Sequence, residues 1–245
     1  MLFDEDLRQQ VAWSCRILAM HGHTDLTLGH VSARSAEDMV YIKRKDIGLD
    51  EVTPADVLAI DLDGNVLDGD GVLHLETPLH TEVYKLRPDV NAIAHTHPPY
   101  ATALGAADAE LQLINHDSIL FYDGLSSFDE NAGLITSDDL GLRVAYALGS
   151  RRVVLMRNHG VLIVGRSTPW MTYTAITLER AIAIQTIAAA LGPLQPLDAT
   201  VAQKLFAEKY RDEFIDSYWQ YLIRRTRAGA VDLAGFEDER QGKEE

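Results

Sequence analysis

Apolar positions along residues 4 to 21 recur at helical spacing. Leu7, Val11, Cys15, Leu18 and Ala19 share a face, and Gly22 suits the C-terminal cap. Short apolar runs at 39–43 and 57–61 predict strands, and Asp63-Gly64 in "DLDG" is a hairpin signal. Residues 78–86 predict a helix with Pro78 in its first turn, stopping before Pro88. "VNAIAH" (90–95) predicts a strand. "TSDDLGLRVAYALG" predicts a helix capped by Ser137 or Thr136, with Asp138 and Asp139 at its positive end and Gly149 closing it. "RVVLM" and "VLIVG", separated by "RNHG", predict antiparallel strands joined by a turn. The segment 168–192 predicts a long helix that is apolar on more than one side, and so either deeply buried or packed against another subunit. A further helix is expected over about 198–226, followed by a polar, loose tail. Strands in the middle with helices around them give an α/β or α+β domain, and the hairpins favour a mostly antiparallel or mixed sheet.

Composition narrows the function classes. The 245 residues carry 22 Lys and Arg against 37 Asp and Glu, a net charge of −15. Such a balance disfavours phosphate backbones and anionic lipid, so neither nucleic acid nor membrane is an expected partner. A single cysteine, Cys15, rules out an intrachain disulfide framework. The first residues lack the order of a signal peptide, and no apolar stretch reaches the roughly 20 residues expected of a membrane span. These features lead us to expect a cytoplasmic protein. No G-x-G-x-x-G follows a strand and no Walker motif occurs, so nucleotide binding has no local support.

Histidines carry the candidate chemistry. In "AIAHTHPPY", His95 and His97 stand two apart on a predicted strand, so both imidazoles project to one side. That pattern chelates one ion; its bland alternative is a pair of surface histidines on an edge strand. In "MRNHGVLIVG", His159 sits at the tip between two apolar strands, where an ordinary turn histidine would also fit. In "HLETPLHTEVY", Glu76 precedes a short helix with His80 one turn on. A carboxylate there is either a partner of the helix dipole, a ligand or a general acid/base. Three imidazoles with one carboxylate suit zinc, manganese, iron or cobalt. The densest cluster, "HGHTDLTLGH" at 21–30, reads differently: His21 and His23 flank Gly22 at the negative end of the first helix, a structural setting.

The segments "GHVSAR", "IKRKDIGLDEVTPADVLAIDLDGN", "ETPLHTEVYKLRPDVNAIAHTHPPYATAL" and "LMRNHGVLIVG", in this order and spacing, resemble the class II aldolase/adducin family over roughly residues 5 to 192. The resemblance implies one three-layer α/β/α domain (residues 1–226, before a polar tail 227–245) around a mainly antiparallel, mixed sheet. It implies a C4 homotetramer with active sites at subunit contacts. It also implies one divalent metal ion per subunit on His95, His97 and His159, with Glu76 ligating the ion at rest and shuttling a proton in catalysis.

Departures from the family's sugar-phosphate aldolases concern the substrate. Their Gly-Asn pair is Gly29-His30 here, their hydroxyl-rich phosphate loop is "KRKDIG", and their Ser-Ser pair is His74-Leu75. A basic set thus stands where phosphate is held, and Arg or Lys suits a carboxylate. A solvated charge run is the alternative for residues 43–45. The expected substrate contacts are Gly29, His30, Ser32, Lys43, Arg44 and His116, with Asp117 and Tyr210 as further acid candidates. These substitutions resemble the family's decarboxylases of hydroxylated aromatic or heteroaromatic carboxylates. The expected function is a metal-dependent carbon–carbon lyase acting on a small carboxylate through a metal-stabilised enolate or phenolate. Competing expectations are an aldolase for a non-phosphorylated hydroxy-keto acid, an iron oxygenase on the same scaffold, and a non-catalytic adducin-like scaffold.

Overall fold

The computed structural model describes residues 3–107 and 109–241. Chain order is α1 (Glu5–Met20), β1 (His30–Arg34), β2 (Val40–Lys43), β3 (Val57–Ile60), β4 (Val66–Asp68), α2 (Pro78–Leu86), β5 (Ala92–Thr96) and α3 (Pro99–Ala106). It continues with β6 (Ser126–Phe128), α4 (Asp138–Leu148), β7 (Val153–Met156), β8 (Gly160–Gly165), α5 (Thr168–Leu191), α6 (Ala199–Lys209) and α7 (Asp212–Gln241). The eight strands make one sheet in the order β4-β3-β2-β1-β5-β8-β7-β6. Every neighbouring pair is antiparallel except β6 and β7, which are parallel.

Both faces of the sheet are covered, which is why its central strands read as continuous apolar runs. Tyr41 of β2 with Val161 and Ile163 of β8 enter one core, shared with Val11 and Leu18 of α1, Leu104 of α3 and Leu178 of α5. Val40 and Ile42 with Leu162 and Val164 enter the other, shared with Leu79 and Val83 of α2 and Val144 and Leu148 of α4. The result is the expected three-layer α/β/α arrangement around a mixed, mainly antiparallel sheet. Helix starts are capped as the sequence suggests: Asp4 accepts from Leu7 N–H, Ser137 from Leu140 N–H and Ser167 from Trp170 N–H.

Several expectations are corrected. β1, β4, β6 and α3 were not foreseen. β1 alternates Val31 and Ala33, which enter the α1 core, with His30 and Ser32, which face polar partners, so its apolar pattern is only half present. The single helix expected at 198–226 is two. Asp212 is pinned by Trp170 Nε1–H at 2.6 Å and by Arg166, which starts α7 afresh after Tyr210. The tail expected to be loose from 227 is helical as far as Gln241, and its last four residues lie outside the described residues. α5 has 24 residues, and an 18-residue stretch of it has a mean hydropathy of 1.3, so it is long and apolar enough to cross a membrane, contrary to the expectation that no segment is. Here its apolar face packs into the α1 core, where Met171, Ala175 and Leu178 are fully buried.

Candidate metal centre

β5 lies between β1 and β8 in the middle of the sheet, so His95 is not on an edge. It pairs with His30 on one side and Leu162 on the other, and it is fully buried. His97 follows the strand, and Pro98 then turns the chain into α3. The carboxylate of Glu179 on α5 accepts the N–H groups of Tyr100 and Ala101 at 2.8 Å each, fixing the first turn of α3 beside His97. His159 sits in the β7–β8 turn, after Asn158 at φ 58°. Glu76 stands just before α2, and its Oε1 accepts Ile135 N–H at 2.8 Å.

These four side chains converge. The Nε2 atoms of His95 and His97 are 3.1 Å apart. Glu76 Oε2 is 3.5 Å from His95 Nε2, and Glu76 Oε1 is 3.6 Å from His159 Nε2. Ring centroids of the three histidines lie 4.9 to 5.4 Å from one another. A tetrahedral ion bonded at about 2.0–2.1 Å holds its ligand atoms roughly 3.4 Å apart, so the donor set and its spacing fit a divalent cation. Three imidazole nitrogens aimed at one another would otherwise leave lone pairs opposed. His97 Nδ1–H donates to Asp25 Oδ2 at 3.0 Å, leaving Nε2 free; this is the carboxylate–histidine support common behind metal ligands. A second group, His30, Glu76 and His95, is also tight enough to hold an ion.

The electrostatics match. Burial disfavours charge on Glu76, but the imidazoles of His159, His30 and His95 and the Ile135 N–H favour it more, so the carboxyl is held well below the usual range. Burial pushes His95 and His97 down, keeping them neutral as a ligand must be.

The expected substrate residues divide. Gly29 packs behind His95, and His30 is buried beside Glu76 with Nε2 4.0 Å from Oε2. Lys43 is fully buried, with Nζ 3.2 Å from both the Thr27 carbonyl and His74 Nε2. Burial lowers its ammonium to about 8. The His74 ring lies 4.5 Å from that of His30, so the Lys43 ammonium and the two imidazoles, which burial pushes down, form one polar wall. Ser32, Arg44 and His116 are not brought to this centre. Ser32 is enclosed, its hydroxyl bonded to His80 Nδ1 and Tyr84 OH. Arg44 projects to the opposite side of the strand and pairs with Asp56 at 2.9 Å. His116 has its carbonyl bonded by Tyr210 OH at 2.5 Å, and neighbouring Asp117 pairs with Arg180. His23 has the structural setting expected of it: it is buried, and its Nδ1 meets Thr96 Oγ1 at 2.9 Å, bracing the chain between His95 and His97. Sequence reasoning missed Asp25, which no periodicity marks, and the roles of His80 and Tyr84, whose only signal is polarity on the core-facing side of α2.

The family model described as Class II Aldolase and Adducin N-terminal domain matches residues 9–186. The chain is 30% identical to the 4-hydroxy-3-prenylphenylpyruvate oxygenase/4-hydroxy-3-prenylbenzoate synthase of Streptomyces roseochromogenus subsp. oscitans over 188 residues, 76% of this chain and 68% of that protein. It is 32% identical to the 3,4-dihydroxyphthalate decarboxylase of Rhodococcus jostii (strain RHA1) over 188 residues, 71% of this chain and 77% of that protein. Among solved structures, an aldolase II superfamily protein from Pseudomonas syringae superposes with a TM-score of 0.83 at 25% identity, covering 92% of this chain and 93% of that one. The chain belongs to the class II aldolase and adducin family.

Proposed function

We propose that this chain is a divalent-metal-dependent carbon–carbon lyase that decarboxylates a small hydroxylated aromatic carboxylate. The observation that carries this reading is the convergence of the imidazoles of His95, His97 and His159 on the carboxylate of Glu76, beside His30, His74 and the Lys43 ammonium. The similarity to a dihydroxyphthalate decarboxylase supports it. His95, His97 and His159 would hold the ion, and Glu76 would offer a fourth ligand. When bound, the ion supplies Lewis-acid polarisation of a substrate oxygen.

The chain's own residues do the rest. His30 and Lys43 orient the carboxylate. Glu76, held as a carboxylate, takes the proton of the substrate hydroxyl and returns it to the carbon that has lost CO2; the product is then a phenolate, which takes the one proton the reaction consumes from water. Buried His95 and the nearby cores exclude bulk water from the inner wall. The ion is zinc, manganese, iron or cobalt. The catalytic unit is residues 1–226 with 227–245 as an appendage. The chain works in the cytoplasm as a C4 tetramer. Exposed Leu26, Leu75 and Leu134, on the segments that carry Asp25, Glu76 and Ile135, offer an apolar rim for the neighbouring subunit.

CO2 release from a panel of hydroxyaryl mono- and dicarboxylates, abolished in His95→Ala, is the direct test; no release from any of them overturns the reading. Pyruvate or an aldehyde from a hydroxy-keto acid would reassign the chain as an aldolase. A second reading, an oxygenase on the same scaffold, is favoured by the similarity to the Streptomyces oxygenase/synthase; oxygen uptake that requires ferrous ion would identify an iron-dependent one.

A further inference from the structure

Behind His30 runs a buried line of hydrogen-bonding groups that the reaction outlined above does not use. His30 Nδ1 is 2.6 Å from His80 Nε2. His80 Nδ1 is 2.7 Å from Ser32 Oγ, and Ser32 Oγ is 2.8 Å from Tyr84 OH. Ser32 and His80 are fully inaccessible, and His30 and Tyr84 are 2% and 1% exposed, so no solvent molecule at the surface can substitute for a missing partner. We propose that Tyr84, Ser32 and His80 form a one-way hydrogen-bond chain that fixes the His30 proton on Nε2, making His30 a donor to a ligand oxygen beside Glu76 and removing it from the set of metal ligands.

The direction follows from the end of the chain. A neutral imidazole has one N–H and one acceptor nitrogen. One proton bridges His30 Nδ1 and His80 Nε2, and it sits on one ring or the other, which gives two cases. In one, Tyr84 donates to Ser32, Ser32 to His80 Nδ1, and His80 Nε2–H to His30 Nδ1; both hydroxyl protons find acceptors, and His30 is left with an Nε2–H that faces Glu76 Oε2, 4.0 Å away. In the other, His30 Nδ1–H donates to His80 and His80 Nδ1–H to Ser32, which then either donates to Tyr84 or accepts from it as well. A hydroxyl proton, of Tyr84 or of Ser32, is then left without an acceptor, since among the described residues Ser32 Oγ bonds only His80 and Tyr84, and Tyr84 OH only Ser32. A buried O–H left unpaired is costly, whereas an unused hydroxyl lone pair is cheap. The first polarity therefore holds.

Two consequences follow. A nitrogen that carries a proton cannot ligate a metal, so of the two tight groups in the centre, the His95, His97 and His159 set takes the ion and the His30, Glu76 and His95 set does not. The His30 Nε2–H, 4.0 Å from Glu76 Oε2, then serves an oxygen acceptor on the ligand, a carboxylate or phenolate oxygen. This last step rests on the function proposed above; the tautomer does not. Ser32, His80 and Tyr84 are positioning residues, since none of them reaches the ligand.

Long-range 1H–15N correlation of the histidine side chains in the 15N-labelled full chain reads the tautomer directly, with and without zinc, the His30 signals being identified by their loss in His30→Gln. The expected result is an Nε2-protonated His30 in both states, while zinc shifts the signals of three other histidines. Tyr84→Phe removes the terminal donor and frees Ser32 to turn, so both His30 tautomers become detectable; Ser32→Ala does the same by cutting the chain in its middle. An Nδ1-protonated His30 in the wild-type chain overturns the proposal, as does coupling between His30 nitrogen and bound 113Cd. If either variant fails to fold, the wild-type spectrum alone decides. A chain that takes up no zinc overturns the metal reading and leaves the tautomer readable.

Discussion

Asp25 Oδ2 accepts a hydrogen bond from His97 Nδ1 at 3.0 Å, across 72 residues of chain. The contact orients one imidazole of the centre and fixes its proton on the nitrogen facing away from the cluster. Asp25 is 41% exposed at its side chain, so its loss removes little packing. Asp25→Ala is therefore expected to leave the melting temperature within a few degrees of wild type while weakening zinc by about 10- to 100-fold. Competition with a chromophoric chelator measures this. Unchanged affinity would mean that His97 is not held for a metal.

Gly160 tests the same imidazole from the other side. A Cβ placed on Gly160 would lie 2.4 Å from His97 Cδ2 and 2.7 Å from the Thr96 carbonyl oxygen. The carbonyl belongs to β5 and cannot yield without disturbing the pairing of Thr96 with Val161. Gly160→Ala is expected to cost about 1–3 kcal/mol of stability, as overpacking does in a tight interior. It should also weaken zinc, because His97 is the side chain able to move. A urea titration and a zinc titration on the same preparation separate the two effects; wild-type zinc affinity would remove His97 from the ligand set.

The juxtaposition of His95 and His97 was legible because strand periodicity puts residue 95 of β5 and residue 97 just after it on one side, and the apolar residues around them spoke against an edge strand. His159 was legible as a turn between two such runs. Asp25 was not, since it meets His97 only through the folding of a loop 72 residues away. β1 escaped because its second face is packed with histidine, serine and tyrosine rather than aliphatic side chains, so the alternation that identifies a half-buried strand read as polar. The same fact hid the role of Ser32: a hydroxyl near the expected substrate turned out to be bonded on both sides inside the fold. The break before α7 was invisible for a different reason. Helical periodicity continues through it, and the fixed point at Asp212 comes from Trp170 and Arg166 on distant segments.

Buried neutral histidines give the fold a definite acid sensitivity. Burial and the proximity of His21 lower His23 from 6.5 to about 4. As pH falls below 6.5 the unfolded chain takes up this proton first, and the folded chain resists until about 4. Stability from this residue is therefore fully present above pH 6.5, declines as pH drops, and is lost once pH has fallen through about 4; the total is on the order of 3 kcal/mol. At pH 5, stability should rise with pH with a slope smaller by nearly one proton in His23→Asn than in wild type at equal zinc loading. Urea midpoints at closely spaced pH values provide the slopes, and equal slopes would show that His23 is charged in the folded chain.

Glu76 is asked to do two things, and replacement by glutamine separates them. The amide keeps an oxygen for the Ile135 N–H at the position now 2.8 Å away, so the start of α2 should hold. What is lost is the charge, and with it the ability to take and return a proton. If the three imidazoles suffice to hold the ion, Glu76→Gln retains near-stoichiometric zinc with modestly weaker affinity, while turnover falls by about 10²- to 10⁴-fold, the usual contribution of a positioned acid/base. Metal content by elemental analysis and CO2 release on one sample read both. A variant that loses its zinc would make Glu76 chiefly a ligand. One that keeps both zinc and turnover would move the proton transfer to another group, with His30 the nearest candidate at 4.0 Å from the carboxylate.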